Sequence, residues 1–179
     1  MIKLPYRNII KRTKNWTLDD YIEYQNELDY KPSGLLYEIK EGAFNWAELT
    51  WGDHIYKLEV KTKNICKIKN YDDLLKFNNK YKGKITNRED LLEFPGAKKH
   101  TLINWEKVSK DYDGFEITNY NKIKDYIIKK FPRPKEDFYK FSWFFTIDFN
   151  SGCIWNLDAV KKIRYWGKLS KKEIESLEL

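Results

Sequence analysis

The chain has 179 residues, is 41% hydrophobic and 17% aromatic, and carries a net charge of +7 at neutral pH. That length suits one domain over 1–179, and the aromatic content excludes a disordered chain, which lacks the apolar surface to offset chain entropy. No apolar run approaches the roughly 20 residues that span a bilayer, and the N-terminus MIKLPYRNIIKRTKNW has no uninterrupted apolar stretch, so a cytoplasmic protein without membrane association is expected.

Taken in chain order, the first helix signal is at Trp16, where Thr17 can cap, Asp19 and Asp20 fill the first turn and Trp16 can staple onto Tyr21. That helix is predicted to reach about Leu28. A strand follows over 34–39, then a short helix over 43–51 with Phe44, Ala47 and Trp51 at helical spacing. Residues 55–60 alternate, with Tyr56, Leu58 and Val60 on one face and Lys57 and Glu59 outward, which reads as a half-buried strand. Residues 65–68 form another. Asn70 is placed to cap a helix through Tyr81, with Asp72 and Asp73 in its first turn and Leu74, Phe77 and Tyr81 inward.

The polar stretch 82–101 holds a short helix over 88–94 and a loop. Asn104 caps a helix from Trp105 to about Lys110, Gly114 opens a strand to Thr118, and residues 120–131 are helical up to the Pro132–Pro134 turn. FSWFFTIDF, 141–149, is the most apolar segment and reads as a strand. A short strand at Ile154–Trp155, a helix over 158–163 and a last helix opened by a Ser170/Glu173 capping box complete the chain, so 164–179 is expected to be a C-terminal helix. Strands and helices do not alternate as in a doubly wound sheet. The expected fold is α+β, with two short, mainly antiparallel sheets flanked by helices.

The positive charge is lysine-dominated, with 29 Lys against 5 Arg. An Arg-poor surface is a weak reader of phosphates and base edges, although residues 161–172 are locally dense in Lys. Potential metal ligands are sparse. His54, Cys66, His100 and Cys153 are far apart in the sequence and show no paired spacing, so no metal is expected. Cys153, in an apolar setting, reads as a core cysteine. The phosphate-cradling loops GxxxxGK[ST] and GxGxxG, and the hydrolase motifs HExxH and GxSxG, are all missing from the sequence.

The most informative stretch is Asp111–Ile117, a tight turn at Gly114 feeding a strand in which Glu116 lies between Phe115 and Ile117. If the two apolar residues face the core, Glu116 faces either solvent or the floor of a cleft.

The order of these pieces resembles the small ADP-ribosyltransferase-like proteins of phages, other viruses and bacteria. The likeness is carried by YDGFEI at 112–117, FSWFFTIDF at 141–149, NLDAVKKI at 156–163, SGLLYEIKEGAFNWAEL at 33–49 and HIYKLEV at 54–60. Ile103-Asn104-Trp105, YDGF, Tyr120 and Ser151-Gly152-Cys153-Ile154-Trp155 further resemble a subgroup of uncharacterised sequences. It covers residues 30–163, and more if Tyr6-Arg7 corresponds to the family's opening strand.

The resemblance implies an ADP-ribosyltransferase-like fold and NAD as substrate, with ADP-ribose passed to a macromolecular acceptor. Glu116 would take the acid's position and Arg7 that of the first-strand cation, pairing with the pyrophosphate. Tyr37 or Glu38 stands where a hydroxyl-bearing Ser is expected. Tyr37 or Trp46 would stack on nicotinamide or adenine, and His54, at a strand end, would border the cleft. Two alternatives stay open: a catalytically inactive module of the same fold that binds a host protein, such as an inhibitor of a defence system in the host cytoplasm, and a basic nucleic-acid-binding domain.

Overall fold

The computed structural model describes residues 6–11, 14, 28–29, 31–39, 52–84, 99–132, 139–147 and 149–170. The helices expected over 43–51 and 88–94 lie outside these residues, as do Trp46, residues 17–27 of the first expected helix and residues 171–179 of the C-terminal helix expected over 164–179; residues 164–168 of the latter are the end of a strand instead, because they pair with a neighbouring strand. Leu28 and Asp29, at the end of the first expected helix, form a two-residue strand.

Ten strands and three α-helices are described, in the order β1 (Arg7–Lys11), β2 (Leu28–Asp29), β3 (Leu35–Ile39), β4 (His54–Val60), β5 (Ile65–Ile68), α1 (Tyr71–Tyr81), β6 (Lys82–Lys84), β7 (Thr101–Asn104), α2 (Trp105–Asp111), β8 (Gly114–Ile117), α3 (Tyr120–Lys130), β9 (Ser151–Ile154) and β10 (Val160–Lys168). The fold is mixed α+β with two sheets, as expected. One of them is not short: it has seven strands in the order β10-β4-β1-β3-β9-β8-β5, and the other has three, β2-β7-β6. All pairings are antiparallel except β5 with β8.

The helix starts follow the capping side chains. Asn70 Oδ1 accepts from the Asp73 amide at 2.9 Å, and Asn104 Oδ1 accepts from the Lys107 amide at 2.9 Å. Each satisfies an amide that the first turn leaves without a partner. Alternation divides the large sheet's side chains between two cores. On the helix-covered face, Ile68, Leu74, Phe77, Trp105, Phe115, Ile117, Trp143 and Cys153 pack together. On the opposite face, Ile9, Leu35, Tyr37, Ile39, Tyr56, Leu58 and Ile154 form the second core.

Two sequence expectations are corrected. The 141–149 run is a turn followed by a 3-10 turn, Phe144–Thr146. Ser142 Oγ and Thr146 Oγ1 donate to the carbonyls of Tyr139 and Trp143, at 2.6 and 2.7 Å, and the Phe144 amide donates to Phe141 O at 3.0 Å. These local bonds satisfy a curled backbone while Phe141, Trp143 and Phe144 are all buried. An unbroken apolar run marks burial without marking the period. The other correction concerns 158–168. A 3-10 turn at Leu157–Ala159, capped by Asn156, leads into the nine-residue strand β10, which pairs along the whole of β4. The open edge of β4 offers ladder bonds that outweigh the helical pattern of Asp158 to Ile163.

Candidate functional site

Arg7, Tyr37 and Glu116, from three separated parts of the chain, meet on one face of the seven-stranded sheet. The register accounts for it. Tyr37 on β3 lies opposite Gly152 on β9, and Gly152 lies opposite Glu116 on β8. Arg7 on β1 lies opposite Ile39, two residues from Tyr37 and therefore on the same face.

Gly152 makes the meeting possible. A Cβ at this position would sit 2.7 Å from Tyr37 Cε2 and closer still to Cζ and the hydroxyl. Without one, the Tyr37 ring lies across β9 and its hydroxyl donates to Glu116 Oε1 at 2.8 Å. Arg7 Nε donates to the same oxygen at 2.5 Å. Oε2 accepts no hydrogen bond from a described residue, and the Arg7 guanidinium also lies over the Tyr6 ring, 5.0 Å from its centroid, and is near the Tyr37 hydroxyl.

The protonation states follow from these contacts. Burial works against the Arg7 charge, but the Glu116 carboxylate outweighs it and holds the guanidinium's pKa above its ordinary value. Burial, reinforced by the Glu116 charge, pushes the Tyr37 hydroxyl well above its ordinary range, so at neutral pH it is a donor. Glu116 is 1% exposed, Tyr37 2%, and the Arg7 side chain 13%. Glu116 does not face solvent. It is a carboxylate held on one oxygen by a charged donor and a neutral one, with Arg7 at the rim.

The turn that delivers Glu116 is tied to the segment that carries Gly152. The Asp113 carbonyl accepts from the amides of Trp155 and Asn156 at 3.2 and 3.1 Å, Trp155 Nε1 donates to Tyr112 O at 2.6 Å, and Asn156 Nδ2 donates to Asp113 Oδ1 at 2.8 Å. Gly114 is required by the same junction, since a Cβ there would sit 2.6 Å from the Cys153 carbonyl. YDGF and SGCIW are therefore two halves of one unit.

The other expected site residues fall elsewhere. Strand alternation separates Tyr37 from Glu38, which points to the helix-covered side opposite Asn8. There Asn8 and Glu38 are both buried, and among the described residues neither Asn8 side-chain polar atom nor Glu38 Oε2 has a hydrogen-bond partner. Burial raises the Glu38 carboxyl to about 9, so it is protonated at neutral pH. His54 pairs with Lys11, four residues along β1 from Arg7, which is on the order of 13 Å at about 3.3 Å per residue. Its Nδ1 lies 3.1 Å from the Tyr165 hydroxyl, so His54 belongs to the β10 edge. Gly152 and Asn8 were not singled out by sequence. Gly152 had a signal, as the one residue without a side chain in Ser-Gly-Cys-Ile, whereas Asn8 had none.

Burial raises the Cys153 thiol, which is fully enclosed, and lifts Cys66 to about 12, so neither is a thiolate at neutral pH. Among the described residues no cluster of His, Cys, Asp and Glu is arranged to hold a metal ion, and no helix is long and apolar enough to cross a membrane. Compared with protein-family models, with curated proteins and with solved structures, the chain finds no match.

Proposed function

We propose that the chain is an ADP-ribosyltransferase-like protein that takes NAD as substrate on the Arg7–Tyr37–Glu116 face and passes ADP-ribose to a macromolecular acceptor. The observation that carries this reading is the shared oxygen: Arg7 and Tyr37 both donate to Glu116 Oε1, from positions 109 and 79 residues away in the chain. An acid, a first-strand cation and a hydroxyl are the three functions that the family resemblance implies. Tyr37 provides the hydroxyl on a longer arm than Ser, and Gly152 accommodates that arm.

The remaining groups have matching tasks. The Arg7 Nη pair is a fork for the pyrophosphate, and Glu116 Oε2 is an acceptor for the ribose 2′-hydroxyl. Cleavage of the N-glycosidic bond develops oxocarbenium character at the ribose, and the negative charge of Glu116 beside it lowers that barrier. Tyr37 and Arg7 hold the carboxylate in place.

The near-complete burial of Glu116 and Tyr37 favours a second reading, an inactive module of the same fold that binds a protein partner. Nicotinamide release from NAD in the presence of cell lysate separates the two. Release that is lost in Glu116→Gln and reduced in Tyr37→Phe, with both variants folded by circular dichroism, supports the transferase. A folded wild-type protein that captures a partner and consumes no NAD supports the module.

A further inference from the structure

We infer that the β10 edge of the large sheet is a docking surface for single-stranded nucleic acid. This reading goes beyond the NAD site and does not depend on it. Among the described residues β10 ends the sheet, so its outer ladder groups face away from β4. The strand carries Lys161, Lys162, Arg164 and Lys168, all exposed, and Lys57 lies beside Arg164 on β4. Arg164 and Lys57 share Glu59, at 4.0 and 3.4 Å, and Lys168 pairs with Asp53 at 3.1 Å. Lys161 and Lys162 have no acidic partner among the described residues. The edge therefore keeps an excess of positive charge.

Two aromatic side chains interrupt this row, Tyr165 at 39% and Trp166 at 41% exposure. They are presented differently. Tyr165 is fixed, with its hydroxyl at His54 Nδ1 and its ring edge-on to Tyr56 at 5.5 Å. Trp166 falls in the register irregularity between Tyr165 and Gly167, a bulge of the kind that re-aims a side chain out of the ladder. An indole this large, turned outward between Arg164 and Lys168 on the strand that also carries Lys161 and Lys162, is costly to leave in water and is suited to stacking.

Cations that track a phosphate backbone, interleaved with aromatic faces for bases, are the components of sequence-tolerant single-strand binding. The complementarity is one of charge and of shape. A second copy pairing edge to edge would bring like charges together. An acidic peptide would engage the lysines and have no use for the indole, and a duplex keeps its bases stacked away from it.

The test is fluorescence anisotropy with labelled 12-nucleotide single strands of DNA and RNA, without NAD, over a salt series. Failure here leaves the NAD reading intact, and the reverse holds as well. Log affinity is expected to fall linearly with log salt, by about 0.7 per phosphate contacted. Trp166→Ala is expected to weaken binding roughly tenfold with the salt slope unchanged, as loss of base stacking does. Lys161→Glu with Lys162→Glu is expected to weaken binding and to flatten the slope by about one to two. The inference is overturned if neither strand binds, if Trp166→Ala binds as wild type, or if a 12-base-pair duplex or polyglutamate competes as well as the single strand.

Discussion

Arg7→Met tests whether the Arg7–Glu116 pair is a structural necessity of the sheet. The substitution keeps much of the apolar stem of Arg7 and removes the charge. Glu116, 1% exposed, then keeps, among the described residues, only the Tyr37 hydroxyl. Breaking a buried pair from one side costs about 3–5 kcal/mol, because the remaining charge stays out of water without its partner. The Arg7 side chain is 13% exposed, so water reaches the rim and the lower end, about 3 kcal/mol, is expected. For a chain of this size that corresponds to a melting temperature lower by roughly 6–12 °C. Removing both charges with Arg7→Met and Glu116→Leu is expected to recover most of the loss, and adding Tyr37→Phe removes the hydroxyl then left without an acceptor. Urea unfolding of the wild type and these three variants measures the effect, with equal m-values as the check that unfolding stays comparable. A loss under about 1 kcal/mol in Arg7→Met, or a double variant as unstable as the single, would refute the description of Glu116 as a buried charge dependent on Arg7.

Three further outcomes are expected. Gly152→Ala forces the Tyr37 ring off β9 and is expected to lower stability by about 1–3 kcal/mol, with amide shifts at Tyr37 and Glu116 by NMR, whereas Gly167→Ala, whose added Cβ meets nothing within 4 Å, stays within about 0.5 kcal/mol. Glu38 is protonated in the folded state up to about pH 9 but ionises in the unfolded chain near its ordinary value. The folded state thus binds more protons between those limits, and stability falls as pH rises from the ordinary carboxylate range to about 9, at up to roughly 1.4 kcal/mol per pH unit. Glu38→Gln is expected to flatten that slope and to raise the melting temperature at pH 8, measured by calorimetry across pH. Asn78→Ala removes the acceptor of Trp143 Nε1, 3.0 Å away in the core, and is expected to cost about 1–3 kcal/mol in chemical denaturation.

Local signals in the chain read correctly where a short-range bond decides the structure. Asn70 and Asn104 place the starts of α1 and α2, because a cap joins residues three apart. The alternation of 55–60 and the Gly114 turn place β4 and β8 for the same reason. Arg7, Tyr37 and Glu116 are legible in the sequence through a resemblance in motifs and not through a rule of spacing.

Alternation by itself put Tyr37 and Glu38 on opposite faces, but which face held Glu116 required the pairing β3-β9-β8. That pairing joins residues 37, 152 and 116 and is invisible to any window of sequence. The same holds for the two corrected segments. FSWFF is apolar enough to be a strand, yet Ser142 and Thr146 curl it through local bonds. DAVKKI has a helical spacing, yet the open edge of β4 claims it from Val160 onward. The amino-acid sequence by itself determined the caps, the tight turns and the residues that must be buried, since those depend on neighbours in the chain. Tertiary structure alone decided that Glu116 is enclosed and paired, and that Trp166 and its lysines lie along an open edge, because strand order determines which backbone and side-chain groups find partners.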